Sequence, residues 1–375
     1  MKTLGESLDP RHNSVNAIRL AFAGSILLMH AMALGGYVKE MPKLFFHDTL
    51  ATYVVAGFFV ISGYLITASR VNSKSFGDYL WRRILRLYPG WIASFVLVAL
   101  ILGPLSLILE GRSVRGYDWS SAAGYVYKNL FFVLRQLDIT GTIENVPVGR
   151  VWNFSAWTLF FEFSLWMCIG LLVLIAPKRL LNLGIVCGLV SFTAIKVYDK
   201  VTIDLSSYGT ANHGRARGAV DPGLIMSVLE PMARLGAFFF AGAVLYAFRD
   251  KIKFSQIAFW ICLAFAFAMA IVGWFHVVAA LPFAYVVMRL GVSPKLSRVN
   301  YPNDYSYGTY IYAFPITQVL AIVNVNHHAP GWLFCLMCVL ATAPVAWLSW
   351  HYLEKPAMSL KRLTAGRNKA IIGVP

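Results

Sequence analysis

Long apolar runs recur along almost the whole chain, separated by short polar breaks. A helix needs about 20 mainly apolar residues to cross a bilayer. By that measure the pattern predicts spans over residues 16–36, 50–68, 88–109, 155–176, 180–197, 226–248, 256–272, 274–290, 305–324 and 332–353. The expected fold class is all-α, a polytopic membrane helix bundle with about ten transmembrane helices. Residues 123–139 form a shorter run interrupted by Lys128 and Arg135, which predicts an interfacial or re-entrant segment rather than a span. The predicted organisation is a tail over 1–15, a membrane domain over 16–356 and a second tail over 357–375, with both tails on one side because the number of spans is even.

Composition narrows the class further. Of the 375 residues 58% are hydrophobic and only 13% charged, and the mean hydropathy is +0.63, too apolar for a soluble chain of this length. No convincing small-residue cleavage site follows the first apolar run, so that run reads as a retained helix. All five cysteines, Cys168, Cys187, Cys262, Cys335 and Cys338, lie inside apolar runs, where a thiol behaves as a small hydrophobe. The Cys335–Cys338 pair has no neighbouring His or acid in sequence, so it reads as packing and no metal site is predicted.

Charge sets the orientation. With the N-terminus in the cytoplasm, 21 of the 33 Lys and Arg fall in cytoplasmic segments, the distribution that resists translocation. Counting 123–139 as a span would invert every later loop and place the basic segments near 178, 250 and 355 outside. The chain is therefore expected in the cytoplasmic membrane with both termini inside. The net charge of +16 is accounted for by basic segments beside anionic membrane lipid, and no nucleic-acid partner is implied. The longest connection, Tyr198–Gly223, is rich in glycine and polar groups and is a candidate lid over an acceptor on the outer side. No internal repeat of transporter type is visible.

Several residues could carry chemistry. Arg19 and His30 are 11 positions apart on the first predicted helix, about three turns, so they share a face and lie about 16 Å apart along its axis. An interfacial arginine alone is a common anchor. An imidazole inside an apolar span is costly and is read as functional, with a satisfied structural histidine as the alternative. Glu162 is the one acid well inside a predicted span. At a depth similar to that of His30, it could fix the imidazole tautomer and raise its basicity for activation of a hydroxyl, or brace the loop before it. Arg82, Arg83 and Arg86 crowd the start of a helix; they either mark the cytoplasmic side or bind phosphate. Glu230 and Arg234, four residues apart, read as a self-neutralising pair.

Six segments, in order, resemble the acyltransferase family 3 proteins, bacterial membrane acyltransferases that decorate cell-surface glycans and lipids. NAIRLAFAGSILLMHA resembles the first-helix Arg-x10-His motif at Arg19 and His30; FFVISGYLIT resembles the second-helix signature at Phe58, Phe59, Ser62, Gly63 and Tyr64. RRILRLYP is similar to the basic element at Arg82, Arg83 and Arg86, and AWTLFFEF to the element at Trp157 and Glu162. SYGTYIYAFP is similar to the late tyrosine segment and YLEKPA to the closing Glu354-Lys355-Pro356. Where many relatives carry His before the aromatic-Pro pair this chain has Ala313, so no catalytic role carries over there. The sequence stops at Pro375 without the hydrolase-like domain some relatives append, so acceptor handling is expected to rest on the membrane domain, its outer loops or a separate partner.

The resemblance implies an O-acyltransferase that takes an acetyl or succinyl group from cytoplasmic acyl-CoA, in the simplest case acetyl-CoA, with no bound cofactor. The acceptor would be a hydroxyl of an extracytoplasmic glycan or glycolipid. His30 would act as base or transient acyl carrier with Glu162 as its partner, and Arg19, Arg82, Arg83 and Arg86 would hold the donor phosphates. Ser62, Tyr64, Asn153 and Ser155 would be donors to the developing oxyanion, with Trp157 beside the substrate. The alternative class is a transporter or flippase for an envelope glycolipid, which would bind no acyl donor.

Overall fold

The computed structural model describes residues 3–8, 13–38, 43–44, 47–210, 224–293, 303–323, 329–361 and 363. The 211–223 part of the candidate lid and most of the 357–375 tail lie outside the described residues. The remainder of the predicted long connection, up to Thr210, is helical.

All ten predicted apolar segments are helical. The described helices are α1 (Leu4–Ser7), α2 (Val15–Leu34), α3 (Leu50–Val71), α4 (Phe76–Leu97), α5 (Gly103–Leu109), α6 (Trp119–Tyr127), α7 (Thr158–Ile175), α8 (Leu181–Thr210), α9 (Leu224–Ala247), α10 (Gln256–Ile271), α11 (Phe275–Val278), α12 (Ala280–Gly291), α13 (Ser306–Ile322), α14 (Gly331–Ser349) and α15 (Lys355–Ser359). A two-residue antiparallel ladder, β1 (Lys43–Leu44) with β2 (Asp48–Thr49), precedes α3. Among the described residues, seven helical stretches are long and apolar enough to cross a membrane. Three expected spans are shorter. α10 has 16 residues and α13 has 17, and the 274–290 run is broken into α11 and α12. Gly273 ends α10 at φ +74°, a backbone conformation that favours glycine.

One predicted span is instead longer than expected. α4 and α5 are joined by a π turn over Val98–Leu102, making a 34-residue stretch over Phe76–Leu109. At 1.5 Å per residue this is about 51 Å, against a hydrocarbon core of about 30 Å. The stretch is therefore longer than the apolar layer is thick. Ser75 caps α4 by accepting from the Asp78 amide, and Asp78 in turn accepts from Arg82 at 3.0 Å. Within 123–139, α6 is only nine residues long, far below a spanning length. The backbone after α6 is irregular and is organised by Asn129, whose side chain accepts from the Arg135 and Gln136 amides and donates to the Tyr125 and Gln136 carbonyls.

The chain forms two compact units. The first comprises residues 1–15, 43–72 and 164–299, the second 16–42, 73–163 and 300–375. In the first unit α3 and α9 pack backbone to backbone. A Cβ at Gly63 would stand 1.8 Å from the Phe239 carbonyl oxygen and one at Gly242 would stand 2.0 Å from that of Val60. Phe238, Phe239 and Phe275 fill the core beside them. A buried polar knot joins α8 to α9, with Lys196 2.6 Å from Asp199 and 2.8 Å from Glu230. Glu230 is also 3.3 Å from Arg234, the expected pair. The N-terminal residues pair with the 249–253 turn, Leu4 donating to the Ile252 carbonyl and Gly5 to that of Arg249, while Ser14 donates to the Gly291 carbonyl. These three basic segments thus share one face of the unit.

The second unit is built on α2, α4, α6, α13 and α14. Trp91, Phe95, Tyr125 and Trp152 are fully buried in it. Cys335 and Cys338 pack with Leu27, Ala31, Ala313 and Phe334. In both units large apolar side chains such as Ile101, Ile108, Ile175, Ile261 and Leu340 remain exposed along helices, the surface a helix presents to lipid rather than water.

Candidate active site

Most of the residues singled out in the sequence converge in the second unit. α2 and α13 run in the same direction there. Near their first turns the Arg19 guanidinium bonds to the Asp304 carboxylate. Ten residues farther along α13, Phe314 meets His30 edge-on, with ring centroids 5.2 Å apart. The 11-residue spacing on α2 is thus matched by a partner at each end.

Asp304 stands just before α13 and is the centre of the charged end. Its Oδ2 accepts from both Arg19 and Arg86, and its Oδ1 accepts from the Ser306 hydroxyl and from the Ser306 amide at 3.2 Å. Burial pushes its pKa up, but the Arg19 and Arg86 guanidiniums and the two bonds from Ser306 outweigh that and hold it down at about 2. Arg86 also lies 3.6 Å from Glu354 and 5.4 Å from the Trp350 ring centroid. A π turn over Trp350–Glu354 carries Glu354 into the interior, where Oε1 accepts from the Ser349 hydroxyl at 2.9 Å. The closing Glu-Lys-Pro element thus supplies a buried acid to the arginine cluster. Arg82 is engaged with Asp78, while Arg83 lies within electrostatic range of Arg86, Tyr79 and Glu162.

Asp304 and Gly90 shape this cluster and were not singled out by the sequence reasoning. Asp304 stands two residues before the late tyrosine segment, and its nearness to that motif was the available signal. Gly90 follows the basic element. A Cβ there would meet the Tyr307 ring at 2.6 Å, and the absence of one lets Tyr307 donate to the Leu87 carbonyl at 2.7 Å.

The segment leading into α7 is laid along α13. Gln318 donates to the Val148 and Val151 carbonyls, both at 2.7 Å, and Asn153 donates to the Ile311 carbonyl at 2.8 Å. Ser155 donates to the Asn153 side chain at 2.8 Å. Tyr310 donates to the Ser155 carbonyl and lies 2.6 Å from the Thr158 hydroxyl. Trp157 closes this 3₁₀ turn and packs edge-on to Phe161 at 5.5 Å. The tyrosine segment therefore positions the start of α7 and with it Glu162. Glu162 lies within electrostatic range of Arg83, Tyr307 and Tyr310. Among the described residues no hydrogen bond or ion pair joins it to His30, the pairing expected from sequence. His30 itself makes no hydrogen bond or ion pair among the described residues and is only half-buried.

Ser62 and Tyr64 belong to the first unit. Ser62 accepts from the Trp166 indole at 3.1 Å, and Tyr64 is buried edge-on to Tyr246 at 5.4 Å. Gly63 between them is explained by the α3–α9 contact.

An imidazole and an arginine cluster thus share one unit of a helical membrane protein, and the chain belongs to acyltransferase family 3. The family's Acyltransferase domain matches residues 12–351. The chain is similar to an O-acetyl transferase of Shigella phage Sf6, 26% identical over 354 residues that cover 92% of this chain and 96% of that protein. It is also similar to Nodulation protein 10 of Rhizobium leguminosarum bv. viciae, 24% identical over 390 residues covering 98% of each. No solved structure matches it. The protein is an O-acyltransferase of the membrane.

Proposed function

We propose that the enzyme transfers an acyl group, acetyl in the first instance, from cytoplasmic acyl-CoA to a hydroxyl of an extracytoplasmic glycan or glycolipid at the bacterial inner membrane. The observation that carries this reading is the division of α2. One end places Arg19 in the arginine cluster, and about 16 Å along the same face stands His30, whose ring nitrogens have no partner among the described residues. A donor with phosphates at one end and a thioester at the other fits such a helix if its pantetheine arm is extended along it. The similarity to an O-acetyl transferase supports acetyl over longer chains.

In this mechanism His30 removes the proton of the acceptor hydroxyl as that oxygen attacks the thioester carbonyl, or takes the acyl group itself before passing it on. The collapse of the tetrahedral intermediate expels the CoA thiolate, which takes up a proton. Asn153 keeps one amide hydrogen beyond its bond to Ile311 and is the favoured donor to the oxyanion. Trp157 would line the acyl end. Glu162 contributes through Arg83 and the tyrosines rather than through His30.

The test is acyl transfer by His30→Ala in membrane vesicles, with donor binding and thermal stability recorded on the same preparation. A loss of about 10² or more is the usual scale for a missing acid–base group, and acyl-CoA binding should survive. Near-normal transfer would overturn the mechanism, and lost transfer with collapsed stability would make His30 a structural residue.

A further inference from the structure

We propose that Asp304 is a positioning residue that aims Arg19 at the diphosphate of the donor, and that Arg86 and Glu354 serve as its strut rather than as phosphate ligands. The inference rests on the acyl-CoA reading and assigns separate tasks to arginines that the sequence leaves equivalent.

The geometry distinguishes the two arginines. Arg86 is enclosed, with its side chain 14% exposed, and lies between two carboxylates, Asp304 and Glu354. Its charge is spent internally. Among the described residues Arg19 has Asp304 as its one carboxylate partner, and it is the more exposed of the two arginines at 23%. It uses Nη1 on Asp304, which leaves the other guanidinium N–H groups for a ligand. Both guanidiniums meet the same oxygen of Asp304. Two like charges that close repel unless an anion lies between them. The other carboxylate oxygen is fixed by Ser306 at the start of α13, so the carboxylate cannot swing with either arginine. The chain of contacts from Glu354 through Arg86 and Asp304 therefore ends at one guanidinium whose orientation is set and whose side chain is partly exposed. Arginine suits a diphosphate because its planar fork makes paired bonds, provided the plane is held.

The test compares acetyl-CoA with acetyl-pantetheine, which carries the same thioester and arm but no phosphate, by thiol release in vesicles containing the host's own envelope acceptor. Asp304→Asn should raise the KM for acetyl-CoA about tenfold, the scale of one charge-assisted hydrogen bond, with kcat and the acetyl-pantetheine kinetics little changed. Equal losses with both donors would mean a merely structural carboxylate, and an unchanged KM would mean no role in donor binding; either overturns the inference. Should Asp304→Asn fail to fold, Arg19→Lys carries the same test, because lysine can still meet Asp304 but lacks the fork. Donor-selective loss supports the inference, and loss shared by both donors or absent from both overturns it. A wild-type enzyme that treats the two donors alike would overturn the donor reading itself and this inference with it. A wild type that discriminates, beside an Asp304→Asn enzyme that discriminates equally, overturns this inference alone.

Discussion

Arg19 and Asp304, 285 positions apart in sequence, are joined by a direct ion pair at the start of two helices that run in the same direction. That pair registers α2 against α13, and the register brings His30 to Phe314 rather than to an acid.

The pair makes a prediction about acid. The pKa of Asp304, at about 2, lies below the value of about 3.9 for an aspartate in an unfolded chain. A depressed folded-state pKa contributes stability above the unfolded value, and that stability is lost as pH falls through the folded one. The stability gap between wild type and Asp304→Asn should stay constant from pH 7 to about 5 and narrow between about 4 and about 2. Thermal unfolding in detergent across that range checks it; a gap that changes between pH 7 and 5 would place the titration on another group.

Glu162→Gln keeps the shape of the side chain and removes its charge. Because Glu162 acts on Arg83, Tyr307 and Tyr310 and is not bonded to His30, the donor KM should rise severalfold while the pH profile of kcat stays in place. A shift of the acid limb to lower pH would instead reveal that Glu162 raises the basicity of His30.

Gly63→Ala should destabilise the fold through α3 and α9. The new methyl would overlap the Phe239 carbonyl, and overpacking of this kind costs about 1–3 kcal/mol. The expected signature in detergent is a lower unfolding temperature with the acetyl-CoA KM of the surviving enzyme unchanged. A KM effect without a stability effect would point to a substrate role for this part of the motif.

The N-terminal segment, the 249–253 turn and the 291 end of α12 share one face of the first unit. In a cysteine-less background, single cysteines at Ser75 and Ile252 should label only from the cytoplasm, and one at Arg115 only from outside. Labelling of position 252 from outside would reverse the orientation.

The apolar segments were legible because lipid exposure imposes a composition on every spanning helix wherever the chain later packs. Even so, the shortness of α12 and the extension of α4 were not, since apolar runs do not report where Gly273 ends a helix or where a π turn inserts. The arginines and His30 could be picked out because charged and titratable groups are conspicuous against an apolar background. Their partners could not. The span that carries Glu162 stands where the pattern puts it, at Phe154–Ile175. Which neighbours Glu162 meets depends on how the segment before it is pinned along α13 by Gln318, Asn153 and Tyr310, a long-range packing that depth counted along separate helices does not report.

By itself the sequence determined that the chain belongs in a bilayer, which segments are helical, and that Arg19 and His30 share a helix face, because hydrophobicity and helical period are local properties. Only the tertiary structure decided that Asp304 gathers Arg19 and Arg86 and that Glu354 turns inward to meet them. Those contacts link residues more than 200 positions apart, and a carboxylate finds its guanidinium through the packing of whole helices, which no local pattern encodes.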